Sequence, residues 1–112
     1  MIKVNSKSGA ITCTQGDTFE ATIHLTIGED EYVPAAGDKI RFAIKSSYDD
    51  PEPIFTKDIS TDTMTLRIEA NETKLLHARK KPYVYDIQLS TPSGFVSTFM
   101  DRKQWYSTEE VD

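Results

Sequence analysis

A strict period of two constrains this chain more than any other feature of it. From Phe19 to Ile27, the residues Phe19, Ala21, Ile23, Leu25 and Ile27 alternate with Glu20, Thr22, His24 and Thr26. Successive side chains of a β-strand point to opposite faces of its sheet, so this stretch is predicted to be one half-buried strand, with its apolar set inward. The same alternation recurs in "KIRFAIK", where Ile40, Phe42 and Ile44 point inward and Lys39, Arg41 and Lys45 outward. In "TMTLRIE", Met64, Leu66 and Ile68 face the core, with Thr65 and Arg67 outside, and "YVYDIQL" places Tyr83, Tyr85, Ile87 and Leu89 on one face.

The connecting segments carry turn chemistry. Gly28 to Glu31 interrupt the first strand, Tyr32 and Val33 briefly resume it, and residues 34–38 are turn-rich. "SSYDDPEP" reads as an acidic loop and "IFTKDI" as a short edge strand. In "ANETKLLHA", Asn71 is placed to cap one helical turn near residues 71–77 that returns Leu75 and Leu76 to the core. "STPSG" supplies a tight turn into "FVSTFM", and a last strand is predicted through Gln104, Trp105 and Tyr106. At 112 residues the chain has room for one core. The predicted fold is all-β: an antiparallel β-sandwich of seven or eight strands in a single domain over 1–112, with its core at roughly 9–107. "LLHARKKPYVYDI" also has the layout of the immunoglobulin-like tyrosine corner, in which a tyrosine hydroxyl reaches back to a preceding turn, with Tyr83 or Tyr85 in that place.

Composition bounds the function. The net charge of −5, with only the short Arg79-Lys80-Lys81 run strongly basic, lacks the concentrated basic face that phosphate backbones or anionic membranes require. One cysteine, Cys13, leaves no internal disulfide and no thiolate-rich zinc site. No apolar run has the length of a signal peptide or a membrane span, so the expectation is a protein made in the cytoplasm that enters no membrane.

The candidate chemical groups resolve into structural roles. Glu20 and His24 on one strand lie roughly 13 Å apart, too far to share a zinc ion. His77 lies in the capped turn with no nucleophile elbow nearby. The acidic groups Glu29-Asp30-Glu31 and Asp49-Asp50-Glu52 lack EF-hand spacing and read as solvated turns. Gly16-Asp17 and Gly37-Asp38 read as turns leading into strands, since no glycine-rich loop or following helix accompanies them. The terminal "EEVD" looks like the tetrapeptide by which chaperones engage carboxylate-clamp domains, and nothing else in the chain accompanies it. No catalytic, cofactor or metal residues are therefore assigned. Tyr32, Tyr48, Trp105 and Tyr106 remain, as rigid amphipathic rings in or near loops or the chain end; they serve either as partner contacts or as caps on the core.

Taken in order, "TQGDTFEATIHL", "GDKIRFAIKS", "IFTKDI", "TLRIEANETKLL" and "YVYDIQLSTPSGFVSTF" resemble small immunoglobulin-like β-sandwich proteins of phages and prophages of Gram-positive bacteria, found in heads, necks, tails and baseplates. The resemblance covers roughly Cys13 to Phe99 and includes no catalytic residues. It implies a non-enzymatic virion protein, made in the host cytoplasm, whose partners are other virion proteins and further copies of itself. The alternative is a carbohydrate- or cell-surface-binding module that stacks sugars on Trp105, Tyr106 and Tyr48.

Overall fold

The computed structural model of the chain describes residues 2–4, 10–24, 26–27, 30–94 and 96–109. Leu25, Gly28, Glu29 and Phe95, the side chain of Ile27 and residues 110–112 of the "EEVD" end lie outside that description. The strands are β1 (Ile2–Val4), β2 (Ile11–Thr14), β3 (Phe19–Thr22), β4 (Thr26–Ile27), β5 (Asp30–Glu31), β6 (Lys39–Lys45), β7 (Phe55–Ile59), β8 (Thr65–Ile68), β9 (Tyr83–Ser90) and β10 (Val96–Thr108); one helical turn, α1 (Ala70–Thr73), follows β8. The chain is thus predominantly β. A six-stranded sheet runs β1-β2-β10-β9-β6-β7, and β3-β8 and β4-β5 form two-stranded sheets.

Three of the alternating stretches fold as their period dictates. Ile40, Phe42 and Ile44 of β6 and Tyr83, Tyr85, Ile87 and Leu89 of β9 are buried on one face of the large sheet. Antiparallel register sets Ile40 opposite Leu89, Phe42 opposite Ile87 and Ile44 opposite Tyr85. Leu66 and Ile68 of β8 and Phe19 of β3 cover that face, and the Phe19 ring lies 5.1 Å from that of Trp105. The β9–β10 hairpin forms as expected: Gly94, at φ 91°, closes the turn with its N–H on the Thr91 carbonyl at 3.0 Å. "IFTKDI" becomes β7, an edge of the large sheet.

Other expectations are corrected. The sheet is mixed, because β2 runs parallel to β10 with Ile11 beside Trp105 and Cys13 beside Ser107. The predicted strand from Phe19 to Ile27 ends as a regular element at Thr22, although the Ile23 N–H still donates to the Met64 carbonyl at 2.7 Å. Ala21 and Ile23 pack against the core as predicted, and strand pairing resumes in the short β4–β5 hairpin. "FVSTFM" and the strand through Trp105 are one strand, β10, with register shifts at Thr98/Met100 and Met100/Lys103. Each extra residue at such a bulge resets which side chains face inward, so local alternation is lost where pairing continues. Met64, with φ 55°, lies before the regular strand, which starts at Thr65, but it packs partly buried against the core as its predicted inward place requires.

The helical turn is Ala70–Thr73, capped by Glu69 rather than Asn71. The Glu69 N–H donates to the Glu72 carboxylate at 3.0 Å, half of a capping box two residues earlier than the asparagine would have set it. Leu76 is fully buried, but Leu75 is 52% exposed, because a single turn can return only one of two adjacent leucines to the core.

Gly37 illustrates how tightly the two loops at one end meet. It adopts φ 88°, and a Cβ there would lie 2.6 Å from Cγ of Pro92 in the β9–β10 turn. Gly37→Ala is expected to lower stability by about 2 kcal/mol through left-handed strain plus overpacking. Gly94→Ala, with φ 91° but open space around it, is expected to cost about half as much. Urea denaturation of the two variants checks the difference.

Candidate functional site

Loops at the end where β9 starts and β10 finishes are joined by a polar network around residues 14–17, 70–82 and 107–108. Thr73, 1% exposed, is its hub: its hydroxyl accepts the Gly16 N–H at 3.1 Å and lies 2.7 Å from the Asp17 carbonyl. The Gln15 amide donates to the Lys74 carbonyl at 3.1 Å and accepts the Ala78 N–H at 3.2 Å. These bonds pin the turn after β2 onto the segment after β8, two stretches nearly sixty residues apart in sequence. The local cause is the turn itself: Gly16 sits at φ 89° and the Asp17 N–H closes onto the Thr14 carbonyl at 3.1 Å.

On the same side, the Tyr83 hydroxyl donates to the His77 carbonyl at 2.8 Å, which selects Tyr83 over Tyr85 as the tyrosine that reaches back to the preceding turn. Arg79 lies over the Tyr83 ring, 3.7 Å from its centroid, and its guanidinium donates to the Ser46 hydroxyl, the Ser46 carbonyl and the Lys81 carbonyl. A planar fork of donors suits such a multi-carbonyl clamp, and the aromatic face beneath it adds a cation–π contact. In the sequence Arg79 stands only in a short basic run; the clamp leaves no trace there because its acceptors are mostly backbone carbonyls, which no residue type announces. Ser107, also buried, donates to the Leu76 carbonyl at 2.5 Å and ties β10 into the same network.

At the opposite end, the Tyr32 hydroxyl donates to Asp38 Oδ2 at 2.5 Å, and the Ala35 N–H donates to the same oxygen at 2.9 Å. Asp38 thus caps the turn at Gly37, as the Gly-Asp pattern implied. The hydrogen bond to Asp38 raises the pKa of the Tyr32 phenol, with partial burial and the carboxylate charge acting in the same direction.

The four aromatic candidates do not converge. Tyr32 is partly buried at the Asp38 end and Tyr48 is 55% exposed in the loop after β6. Tyr106 lies on the outer face of β10, its hydroxyl donating to the Gln104 side chain at 2.9 Å. Trp105 is 1% exposed and packs against Phe19 and Phe42, so of its two expected roles, partner contact or cap on the core, the structure supports the core one. The reason is its register: Trp105 stands opposite Tyr83 in β9 and beside Ile11 in β2, both inward-facing.

Glu20 and His24 also part company. Glu20 accepts from Arg67 at 2.8 Å across the β3–β8 pair, whereas His24 Nδ1 lies 2.8 Å from Oε1 of Glu31. His77 is exposed and contributes its carbonyl to Tyr83. In the acidic loop, Asp50 accepts the Glu52 N–H at 3.4 Å, a turn contact. Burial pushes the Cys13 thiol up to about 11, with repulsion from Asp17 adding to it, so the thiolate that a nucleophile requires is disfavoured. Burial likewise raises Tyr85 to about 12. Among the described residues no group of three His, Cys, Asp or Glu side chains is placed to hold a metal ion, and every buried side-chain N or O atom has a hydrogen-bond partner. No described helix is long and apolar enough to cross a membrane. Among the described residues, one open groove of about 340 Å³ lies beside Lys39, Arg41 and Ser60, and another of about 290 Å³ beside Arg79, Lys80 and Glu109.

Lys57 and Glu72 form the least exposed ion pair among the described residues, with Nζ 2.8 Å from Oε1 and side chains 26% and 24% exposed. Partial burial pushes the Glu72 carboxyl up, but the Lys57 ammonium and the Glu69 N–H outweigh it and hold the group below its ordinary value of 4.5. A carboxyl depressed in the folded state contributes stability above the unfolded pKa and loses it as pH falls through the folded one. Glu72→Gln is therefore expected to lower stability at pH 7 and to flatten its decline below about pH 4.5, as measured by urea denaturation across pH.

No protein-family model and no curated protein sequence matches this chain.

Proposed function

We propose that the chain is a non-enzymatic structural module of a phage or prophage virion, with an immunoglobulin-like sandwich arrangement, that acts by packing against other virion proteins and further copies of itself. The observation that carries this reading is the Tyr83 hydroxyl bound to the His77 carbonyl. It is the corner expected of an immunoglobulin-like sandwich, and it falls within the "YVYDI" segment on which the resemblance to virion β-sandwiches rests. From fold to role the step is one of analogy. The outer face of the large sheet fits a packing role: it presents Thr12, Thr14, Gln88, Gln104 and Tyr106, polar groups able to meet a neighbour repeatedly around a ring or lattice, where weak contacts gain by avidity. Burial of Trp105 removes one of the three rings, with Tyr106 and Tyr48, on which the sugar-stacking alternative rests.

The test is incorporation. In the bacterium that encodes the chain, an epitope-tagged copy is expected to co-sediment with particles after prophage induction. A tagged protein that stays wholly in the particle-free fraction, from cells that do release virions, overturns the proposal.

A further inference from the structure

Strand β7 is an edge of the six-stranded sheet, hydrogen-bonded to β6 alone. Its register places Phe55 opposite Ile44, Lys57 opposite Phe42 and Ile59 opposite Ile40. Because Phe42, Ile44 and Ile40 are all buried, Lys57 stands on the core side of the edge strand, between an apolar residue on either hand. Its side chain is only 26% exposed, with the ammonium at the margin of that side. There it meets Glu72, which belongs to the turn that follows β8. The pair bridges the seam between the two sheets.

An unpaired strand edge offers a row of backbone donors and acceptors to any incoming strand, and an inward-pointing charge near the edge is one way folded proteins close it. "FTKDI" is otherwise a competent pairing strand, with Phe55 and Ile59 on one face. Laid antiparallel about its own centre, β7 of one copy would match Phe55 with Ile59 of a second copy and bring two Lys57 ammonium groups opposite each other. Like charges directly opposed destabilise a strand pair, and the added strand would also shut the Lys57–Glu72 pair away from water.

We infer that Lys57, held on the core side of β7 by Glu72, is the charge that keeps this edge from taking up a β-strand of a second copy of the chain. The inference is independent of the virion reading: it assigns a block to one edge whatever the protein assembles with, and leaves the sheet face and loop ends as the routes for association.

The experiment compares wild type, Lys57→Met and Lys57→Arg by sedimentation velocity over a concentration series, with circular dichroism to verify that each is folded. Methionine keeps an unbranched stem and removes the charge; arginine keeps the charge. Lys57→Met is expected to self-associate about tenfold more tightly than wild type, the equivalent of about 1.4 kcal/mol, while Lys57→Arg matches wild type. If Lys57→Met does not fold, Lys57→Gln, which retains a hydrogen-bond donor for Glu72, takes its place. Equal association of the uncharged and wild-type chains overturns the inference, as does tighter association of Lys57→Arg. Any self-association of wild type through another surface cancels in the comparison.

Discussion

Trp105→Ala is expected to lower stability by about 3–5 kcal/mol, the range for removing a fully buried aromatic and leaving a cavity that its neighbours fill only in part. Trp105 is 1% exposed, its ring centroid lies 5.1 Å from that of Phe19 and 6.2 Å from that of Phe42, and its strand pairs with β2 on one side and β9 on the other. The substitution therefore removes contacts to both sheets at once. Against a total stability of about 5–15 kcal/mol for a domain, a loss of this size leaves a substantial unfolded population on warming. Urea denaturation followed by circular dichroism measures it. Trp105 is also the only tryptophan, so in wild type its emission, blue-shifted by burial, reports the same transition. A variant that unfolds no more readily than wild type overturns the core assignment and returns Trp105 to the surface. The result also disciplines binding experiments: loss of a glycan signal in this variant would reflect unfolding, whereas Tyr48→Ala tests an exposed ring without removing a core contact.

Thr73→Val is the second large effect, expected at about 2–3 kcal/mol, although the two side chains are nearly equal in volume. The methyl that replaces the hydroxyl leaves the Gly16 N–H without the acceptor now at 3.1 Å and the Asp17 carbonyl without the donor now at 2.7 Å. Stranding partly buried polar groups costs more than a hydrogen bond contributes net, because their desolvation is then uncompensated. Thr73→Ser, which keeps the hydroxyl, is expected to recover most of the loss. Chemical denaturation separates the two, and amide exchange at Gly16 is expected to quicken in the valine variant alone. Equal losses in both variants would assign the effect to the threonine methyl instead of the hydrogen bonds.

Much of the fold was legible because side-chain alternation is a local property. The inward sets of β6 and β9, and Leu66 and Ile68 of β8, follow from a period of two and the burial of one face. The Gly-Asp turns follow from the conformations glycine permits, at φ 89° for Gly16 and 88° for Gly37. Lys57 was legible in principle: in "FTKDI" it occupies an inward place by parity, between Phe55 and Ile59, and an inward lysine on an edge strand is a signal in itself.

What eluded the sequence concerns partners distant along the chain. Nothing in "ITCT" announces that it pairs, in parallel, with a strand more than ninety residues later. The hub at Thr73 and the clamp at Arg79 use backbone acceptors brought near by loop closure, so residue identity carries little trace of them. The two register shifts in β10 interrupt the alternation, which is why one strand reads as two. Trp105, open in the sequence between partner contact and cap on the core, is fixed in the core only by its pairing with Tyr83 and Ile11. The sequence by itself determined that the chain is built of strands and which side of most of them is apolar, since both are set by neighbours one and two residues away. The tertiary structure alone decided which strands are adjacent, which edge stays open and which aromatic is core, because those depend on contacts whose cost is the closure of long loops and whose gain appears only once the sheets have met.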